Sequence, residues 1–472
     1  MKKIRFSDLF GNYLLLVGVS IVILTVSWFW GYNDFFFWDT VQLSSKQAHF
    51  FYEQEAFSLL LPEQIDSGHF PFMGMYLSVW WKILGKSLFV SHLAILPWVI
   101  TLALAVSSIV SLYIPHPYRP LSVVIILADP TLLAQISLVS PDVILMAALG
   151  VAIISYLKKQ PYLLTVSMLI LSLISLRGLL LTAALMTSMI LWSIVRKEKE
   201  KVSSYIIIFL PAVLVNIAFL LYHYMAKDWV GFHADSPWSP SFQKVSMEGF
   251  IKNSFLFGWR MIDFGRAGIV LFTVFFILKN PKQQIQKAGW PGHIFLFASV
   301  ILFFITTGYQ SLTAHRYYLP LYFFVSLLFC IFLFHSALTG KIKMAFSLVV
   351  VTMLISGHFW VYPAGVAQGW DSSFAHRPIF GLVPNAAHFL MQHKIPKKDA
   401  GTFFPFTAED KYIFLRESTA SFASAAETKT PYLFLSNVMN DIPDSWLKIY
   451  TPDKALFYEK RGGVWVGVFR RQ

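Results

Sequence analysis

The sequence predicts an all-α polytopic membrane domain of about eleven spans, followed by a small external α+β domain. Three observations predict it. Apolar residues make up 56% of the 472-residue chain and charged residues only 13%, against roughly 25% charged in soluble domains. Apolar stretches near the roughly 20 residues needed to cross a bilayer recur through residues 1–362 and stop there. Basic residues collect on one side of that pattern. A water-soluble monomer could not hide so much apolar surface, so a soluble enzyme, a disordered chain and a nucleic-acid-binding domain are excluded, despite a net charge of +13. The single cysteine, Cys330, lies in an apolar run, which leaves no disulfide framework and no cysteine-based metal site within one chain.

The first span is Tyr13–Trp30, preceded by Lys2, Lys3 and Arg5. Trp28-Phe29-Trp30 occupies the place of a small-residue cleavage site, so the segment reads as a retained span, not a signal peptide. The others lie at about 88–112, 119–138, 141–157, 161–176, 178–195, 203–225, 267–279, 293–308, 317–338 and 344–362. With the N-terminus in the cytoplasm, the internal segments hold 15 Lys+Arg and 3 acids, while the loops 31–87 and 226–266 hold 8 Lys+Arg and 10 acids. That is the positive-inside pattern. An odd span count then leaves the C-terminus outside.

The chain divides into a membrane domain, 1–362, and an external domain, 363–472. The latter carries 13 Lys+Arg and 10 acids. Asn385–Lys394 reads as a helix. Gly401–Phe406, Pro431–Asn437, Ala455–Glu459 and Gly463–Arg470 read as strands. No internal repeat is visible, which weakens a transporter built from duplicated halves.

Four charged residues fall within spans or at their ends: Asp129, Asp142, Arg177 and Arg316. Charges in spans are costly and usually functional. Asp142 and Arg316 each stand before or at the opening of a span that starts outside, and Arg177 sits at the external turn of a helical hairpin. Two guanidinium groups there can bind a phosphate bidentately. The alternative is structural pairing of Arg177 and Arg316 with Asp142 and Asp129.

The first external loop, 31–87, is long beside the other connections, and long loops in compact architectures are often functional. Its segment 71–87, with Tyr76, Trp80, Trp81 and Lys82, suits a helix lying on the membrane surface. A carboxylate just above the first span is well placed to deprotonate an acceptor hydroxyl or amine. Asp34 reads as a solvated loop acid. Asp39 is the stronger candidate, because of the segment it stands in.

Five segments, in order, resemble the GT-C superfamily of integral-membrane glycosyltransferases. The resemblance is greatest to the branch holding protein O-mannosyltransferases and the aminoarabinose transferases of lipid A. Trp38-Asp39-Thr40, followed by Ala48 and Phe50-Phe51-Tyr52-Glu53, is similar to the first-loop motif, with Thr40 in place of its usual second acid. His69-Phe70-Pro71 through Leu84-Gly85-Lys86 is similar to the stretch of prolines and aromatics. Asp129-Pro130-Thr131-Leu132 through Ser140-Pro141-Asp142 is similar to the second external loop. Ser175-Leu176-Arg177-Gly178 resembles the basic-Gly turn, and His315-Arg316-Tyr317-Tyr318-Leu319-Pro320 the motif opening a late span.

The resemblance, over residues 10–340, implies an inverting transferase that takes a sugar from a polyprenyl-phosphate donor at the external membrane face. Carried over, Asp39 is the base. Arg177 and Arg316 hold the donor phosphate, where cations stabilise the charge on the leaving group. His69, Asp142, His315 and Tyr317 are secondary substrate contacts. No cofactor is called for, and Thr40 in place of an acid disfavours a divalent metal. The partners implied are the membrane, the lipid-linked donor and an acceptor that is a protein, lipid or polysaccharide, with no nucleic acid. Two other readings use the same residues: a transporter or flippase of a lipid-linked or anionic substrate, and a non-catalytic envelope-assembly scaffold.

Overall fold

In the computed structural model, residues 6–54, 58–198, 200–231, 233, 239–363, 365–367, 372–439 and 441–471 are described. They form a helical bundle with a mixed sheet docked on one end. The helices before the long hairpins are α1 (Phe6–Gly31), α2 (Gln47–Glu53), α3 (Phe72–Leu84), α4 (Leu88–Leu93), α5 (Leu96–Tyr113), α6 (Arg119–Leu127), α7 (Pro130–Ile136) and α8 (Pro141–Leu157). There follow α9 (Pro161–Ile174), α10 (Leu176–Val195), α11 (Glu200–Lys227), α12 (Met247–Ile262), α13 (Ala267–Lys279), α14 (Pro281–Gly308), α15 (Leu319–Phe334) and α16 (Gly340–Gly357).

Many helices start where the sequence supplies a cap. Asp129 accepts from the N–H groups of Thr131 and Leu132 at the head of α7, and Ser140 accepts from Asp142 N–H at the head of α8. Each is followed by a proline at the first helical position, where no N–H is needed. Helices apolar all round go to the centre. In α15 every residue is buried, and in α8 the run from Asp142 to Gly150 is buried. The outer helix α11 instead turns Ile207, Leu214 and Leu221 outward.

Each of the eleven expected spans is helical. Seven single helical stretches are long and apolar enough to cross a membrane. The 119–138 span is two helices, α6 and α7, bent by 69°, and 267–279 is α13, set at 97° to α12. Helices α8 and α9 are shorter than a full span, at 17 and 14 residues. For α8 the physical reason is that it is surrounded by protein and need not match the bilayer. The chain is an integral membrane protein.

The loop expectation for 226–266 needs correction, because α12 lies within it. Its apolar residues Met247, Ile251, Phe255 and Trp259 recur every fourth position and are exposed, while Asn253 and Met261 face inward. Gly265 makes the elbow to α13. It has φ +82°, and a Cβ there would stand 1.9 Å from the Met353 carbonyl oxygen of α16.

The remaining chain adds helices α17 (Ile379–Gln392), α18 (Asp410–Ile413) and α19 (Asp444–Ile449) and strands β1 (Ala400–Thr402), β2 (Ala423–Ser424), β3 (Tyr432–Ser436), β4 (Ala455–Arg461) and β5 (Val464–Arg470). The order is β2-β1-β3-β5-β4, with β1 parallel to both its neighbours and β5 antiparallel to both of its own. The strand expected over 401–406 stops at Thr402. Pro405 has no N–H for a ladder. The two-residue β2 was not expected.

The sheet domain is tied to the first loop. Phe36 N–H donates to Ile413 O at 3.0 Å. Trp38 Nε1 donates to Val438 O at 2.8 Å, and Ser45 Oγ to Tyr412 O at 2.6 Å. These bonds set Asp39 between the sheet domain and the bundle.

Candidate active site

The sheet-facing end of the bundle encloses a cavity of about 170 Å³, whose lining includes Asp39, Thr40, His69, Asp142, Arg177, Arg316 and Tyr317. That volume admits several waters or a phosphate-sized group, since one water needs only roughly 10–15 Å³ on this measure. The far wall is apolar, with Leu180 from α10 and Leu302 and Ile305 from α14. Beyond them, Leu180, Ala184, Ala298 and Leu302 flank a crevice between those two helices that is too narrow to admit a water.

Each polar side chain is delivered by a local rule. Asp39 follows Trp38, which sits at φ +48°, a conformation uncommon for a bulky residue. The turn is closed by Thr40, whose Oγ1 accepts from Phe37 N–H at 3.0 Å and lies 2.6 Å from the Phe37 carbonyl. The residue standing in place of a second acid thus fixes the backbone around Asp39. A π-helical turn, Val41–Lys46, follows. Arg177 rides the first turn of α10, capped by Ser175 accepting from Gly178 N–H. A Cβ on Gly178 would meet the Leu171 carbonyl oxygen at 1.9 Å, so the tight α9–α10 corner requires glycine there. Arg316 and Tyr317 lie on a 3₁₀ turn, His315–Tyr318, leading into α15.

The charges alternate. Arg177 Nη2 contacts Asp142 Oδ1 at 2.5 Å, and Arg177 Nη1 donates to the Arg316 carbonyl at 2.6 Å. Arg316 Nη2 donates to Asp39 Oδ2, and its Nε lies 4.0 Å from Asp142 Oδ2. The Tyr317 ring carries both guanidiniums near its faces, at 4.9 Å from Arg177 and 5.2 Å from Arg316. Its quadrupole attracts both cations, which helps hold two like charges side by side. Two carboxylates offset two guanidiniums, so an entering anion meets arginines whose present partners can be exchanged.

His69 lines the cavity, with Nδ1 3.1 Å from the Phe70 carbonyl. Burial lowers its pKa, so the ring is neutral near neutral pH. Its loop is pinned by Asp66, which accepts from Gly68 N–H at 2.9 Å, from His223 Nε2 at 3.1 Å and from Lys227 Nζ. Burial alone would raise the Asp66 pKa, but the hydrogen bonds from His223, Lys227 and Gly68 outweigh it and the pKa is lowered.

Three placements differ from expectation. Asp129 pairs with neither Arg177 nor Arg316. Its partner is Arg266, through Nε–Oδ2 at 2.6 Å and Nη2–Oδ1 at 3.0 Å. Arg266 is 1% exposed and stacks on Tyr322 at 3.8 Å. Sequence reading left it in a loop. The available signal was an arginine at the N-terminus of a helix, where the dipole disfavours a cation and a buried anionic partner is needed. Second, Asp34 is no solvated acid, since its carboxylate lies 2.8 Å from Arg377 Nη1. Burial pushes its pKa up to about 6, against the pull of Arg377. Third, His315 is not among the residues lining the cavity. It is 1% exposed and points away from it, to Asp263 and Ser372, because the 3₁₀ turn sends successive side chains in different directions.

Gln47, Ser67, Phe242 and Leu312 also line the cavity, and no motif singled them out. Among the described residues, no three or more His, Cys, Asp or Glu side chains gather as a metal-ligand set.

No family model matches this chain, and no curated protein sequence does. Solved structures do. A crystal structure of ArnT from Cupriavidus metallidurans bound to undecaprenyl phosphate matches with a TM-score of 0.53 and 11% identity, covering 97% of this chain and 98% of that one. The same protein in its apo state matches at a TM-score of 0.47 with the same identity and coverage. The chain has the fold of that undecaprenyl-phosphate-bound ArnT structure, as the sequence resemblance led one to expect.

Proposed function

We propose that this protein is a membrane glycosyltransferase. It takes a sugar from a polyprenyl-phosphate-linked donor and passes it to an acceptor hydroxyl or amine with inversion. The observation that carries the reading is the cavity itself. Its lining joins Arg177, Arg316, Asp39 and Asp142 to an apolar wall of Leu180, Leu302 and Ile305. A polyprenyl-phosphate donor has that polarity, with an anionic phosphodiester head on an isoprenoid tail. The bound ligand of the similarly folded ArnT structure, undecaprenyl phosphate, belongs to the same class.

In this reading Arg177 and Arg316 hold the donor phosphate and stabilise the charge that builds on it as the glycosidic bond breaks. Asp39 takes the acceptor proton, and the acceptor oxygen or nitrogen attacks the anomeric carbon opposite the departing phosphate. Asp142 orients Arg177 through their 2.5 Å contact. His69, neutral and at the cavity wall, hydrogen-bonds substrate. Residues 1–362 do the chemistry. Residues 363–472 brace the first loop that carries Asp39, on the external side, periplasmic or extracellular, with the N-terminus in the cytoplasm.

The test is sugar transfer by the purified full chain in detergent, from a polyprenyl-phosphate sugar to a panel of lipid, polysaccharide and protein acceptors. Transfer that releases the polyprenyl phosphate supports the reading. Binding of the donor with movement across a liposome membrane, and no transfer, would instead make it a transporter. Orientation is checked separately by a reporter active only in the cytoplasm, fused after Gln472. Strong activity there overturns the external placement.

A further inference from the structure

His315 stands beside Arg316 yet does not line the cavity, and it is held on both ring nitrogens. Nε2 is 3.1 Å from Asp263 Oδ2, and Nδ1 is 2.7 Å from Ser372 Oγ. With the proton on Nε2, the ring donates to the carboxylate and accepts from the serine hydroxyl. Asp263 is anchored in turn. It accepts from Phe264 N–H at 2.8 Å and from Tyr362 OH at 2.5 Å. Arg260 joins the group through Tyr362 OH, and its Nε donates to the Thr313 carbonyl at 3.1 Å.

The cluster therefore grips the chain at Thr313 and His315, directly before Arg316. It draws on the α12–α13 elbow and on both ends of the segment after α16. Arg316 is the residue whose carbonyl holds Arg177 and whose guanidinium reaches Asp39. A shift of the 3₁₀ turn would displace both arginines together. The elbow cannot relax to absorb such a shift, since Gly265 and Gly357 lie against the Met353 and Phe264 carbonyls.

We infer that Asp263 and His315 are positioning residues for the phosphate-binding arginines, acting through the backbone of the His315–Tyr318 turn. The inference rests on the proposed reading of Arg177 and Arg316 as the donor-phosphate site. Neither residue touches substrate. Their loss should weaken the hold on the phosphate and leave Asp39, which is carried by the first loop, able to do its chemistry.

The experiment uses the full chain in detergent and undecaprenyl phosphate alone as the binding probe, with turnover measured in parallel. His315→Ala and Asp263→Ala should weaken probe binding about tenfold, the size expected when one charge-assisted contact is misplaced. Donor KM should rise by about the same factor, and kcat should fall as well, because the same arginines carry the charge that builds on the departing phosphate. His315→Gln, which keeps a donor and an acceptor, should recover most of the affinity. Tyr362→Phe removes a single hydroxyl, so it folds even where Asp263→Ala does not, and should weaken binding about two- to threefold. Arg316→Ala separates the two levels of the argument. If it binds the probe normally, the phosphate site itself is misassigned. If it loses binding while folded His315→Gln, His315→Ala and Tyr362→Phe all bind as wild type, the positioning role is overturned.

Discussion

Two aspartate–arginine groups lie at the same end of this bundle, and they are built differently. Asp129 and Arg266 form a closed pair. The contact is two-pronged, Arg266 Nη2 also donates to Thr131 Oγ1, and Tyr322 covers the guanidinium. Asp39, Asp142, Arg177 and Arg316 form an open group. Each arginine has a carboxylate contact, but all four side chains face a cavity. The difference teaches that charge within a membrane domain is not by itself a sign of chemistry. What distinguishes a working site is an arginine whose partner can be replaced by something arriving from outside.

The largest expected effect separates the two groups by activity. Asp39→Asn should lower turnover by about 10²–10⁴-fold, the usual contribution of a positioned base, while the donor binds at least as tightly as to the wild type and the melting temperature stays near it. Asp129→Asn should show no comparable loss of turnover per folded molecule. Equal losses of turnover in both variants would abolish the distinction.

Stability should run the opposite way. Asp129→Ala leaves Arg266 buried and unpaired, a change that costs about 3–5 kcal/mol. Removing both charges, Asp129→Leu with Arg266→Met, should recover much of that. Thermal melts of the single and double variants check this. A single variant that melts with wild type would show the closed pair to be solvated after all.

Arg177→Ala sharpens the comparison at an intermediate level. It should weaken binding of a polyprenyl phosphate about tenfold while the protein stays folded, because Arg316 remains near Asp142. Failure to fold would place Arg177 with the closed pair.

The smallest effect is a pH dependence at Asp34, in the strap between α1 and the sheet domain. Its folded pKa, about 6, is raised by burial above the ordinary carboxylate value, 3.8. Below that ordinary value both states are protonated. Between about 4 and 6 the unfolded chain releases the proton and the folded chain keeps it, so stability falls as pH rises through this window and is level above it. The melting temperature of the wild type relative to Asp34→Asn should drop across it, by the equivalent of at most about 1.4 kcal/mol per pH unit. A rise instead would mean that Arg377 outweighs burial.

Much of this architecture was legible in the sequence because membrane spans are written in long apolar runs. The site was legible where a residue stood out against such a run, as Asp142, Arg177 and Arg316 do. Arg266 and Asp263 were hidden because α12 is amphipathic. Its Lys252 and Arg260 read as loop charges, though its apolar positions recur with helical period. His315 was misread because adjacency to Arg316 in sequence says nothing of direction on a 3₁₀ turn. Gln47 and Phe242 carry no charge contrast and become visible only when the loops close over the cavity.

The bond between Arg316 and Asp39 has a kinetic meaning under the proposed chemistry. A carboxylate oxygen already occupied by a guanidinium is not free to receive an acceptor's proton, so Arg316 and the acceptor compete for Asp39. A donor phosphate competes for the same Arg316 nitrogens and sets Asp39 free. The order of arrival then follows: lipid-linked sugar first, acceptor second. Initial-rate patterns should be sequential with the donor leading, and released polyprenyl phosphate should inhibit competitively against donor.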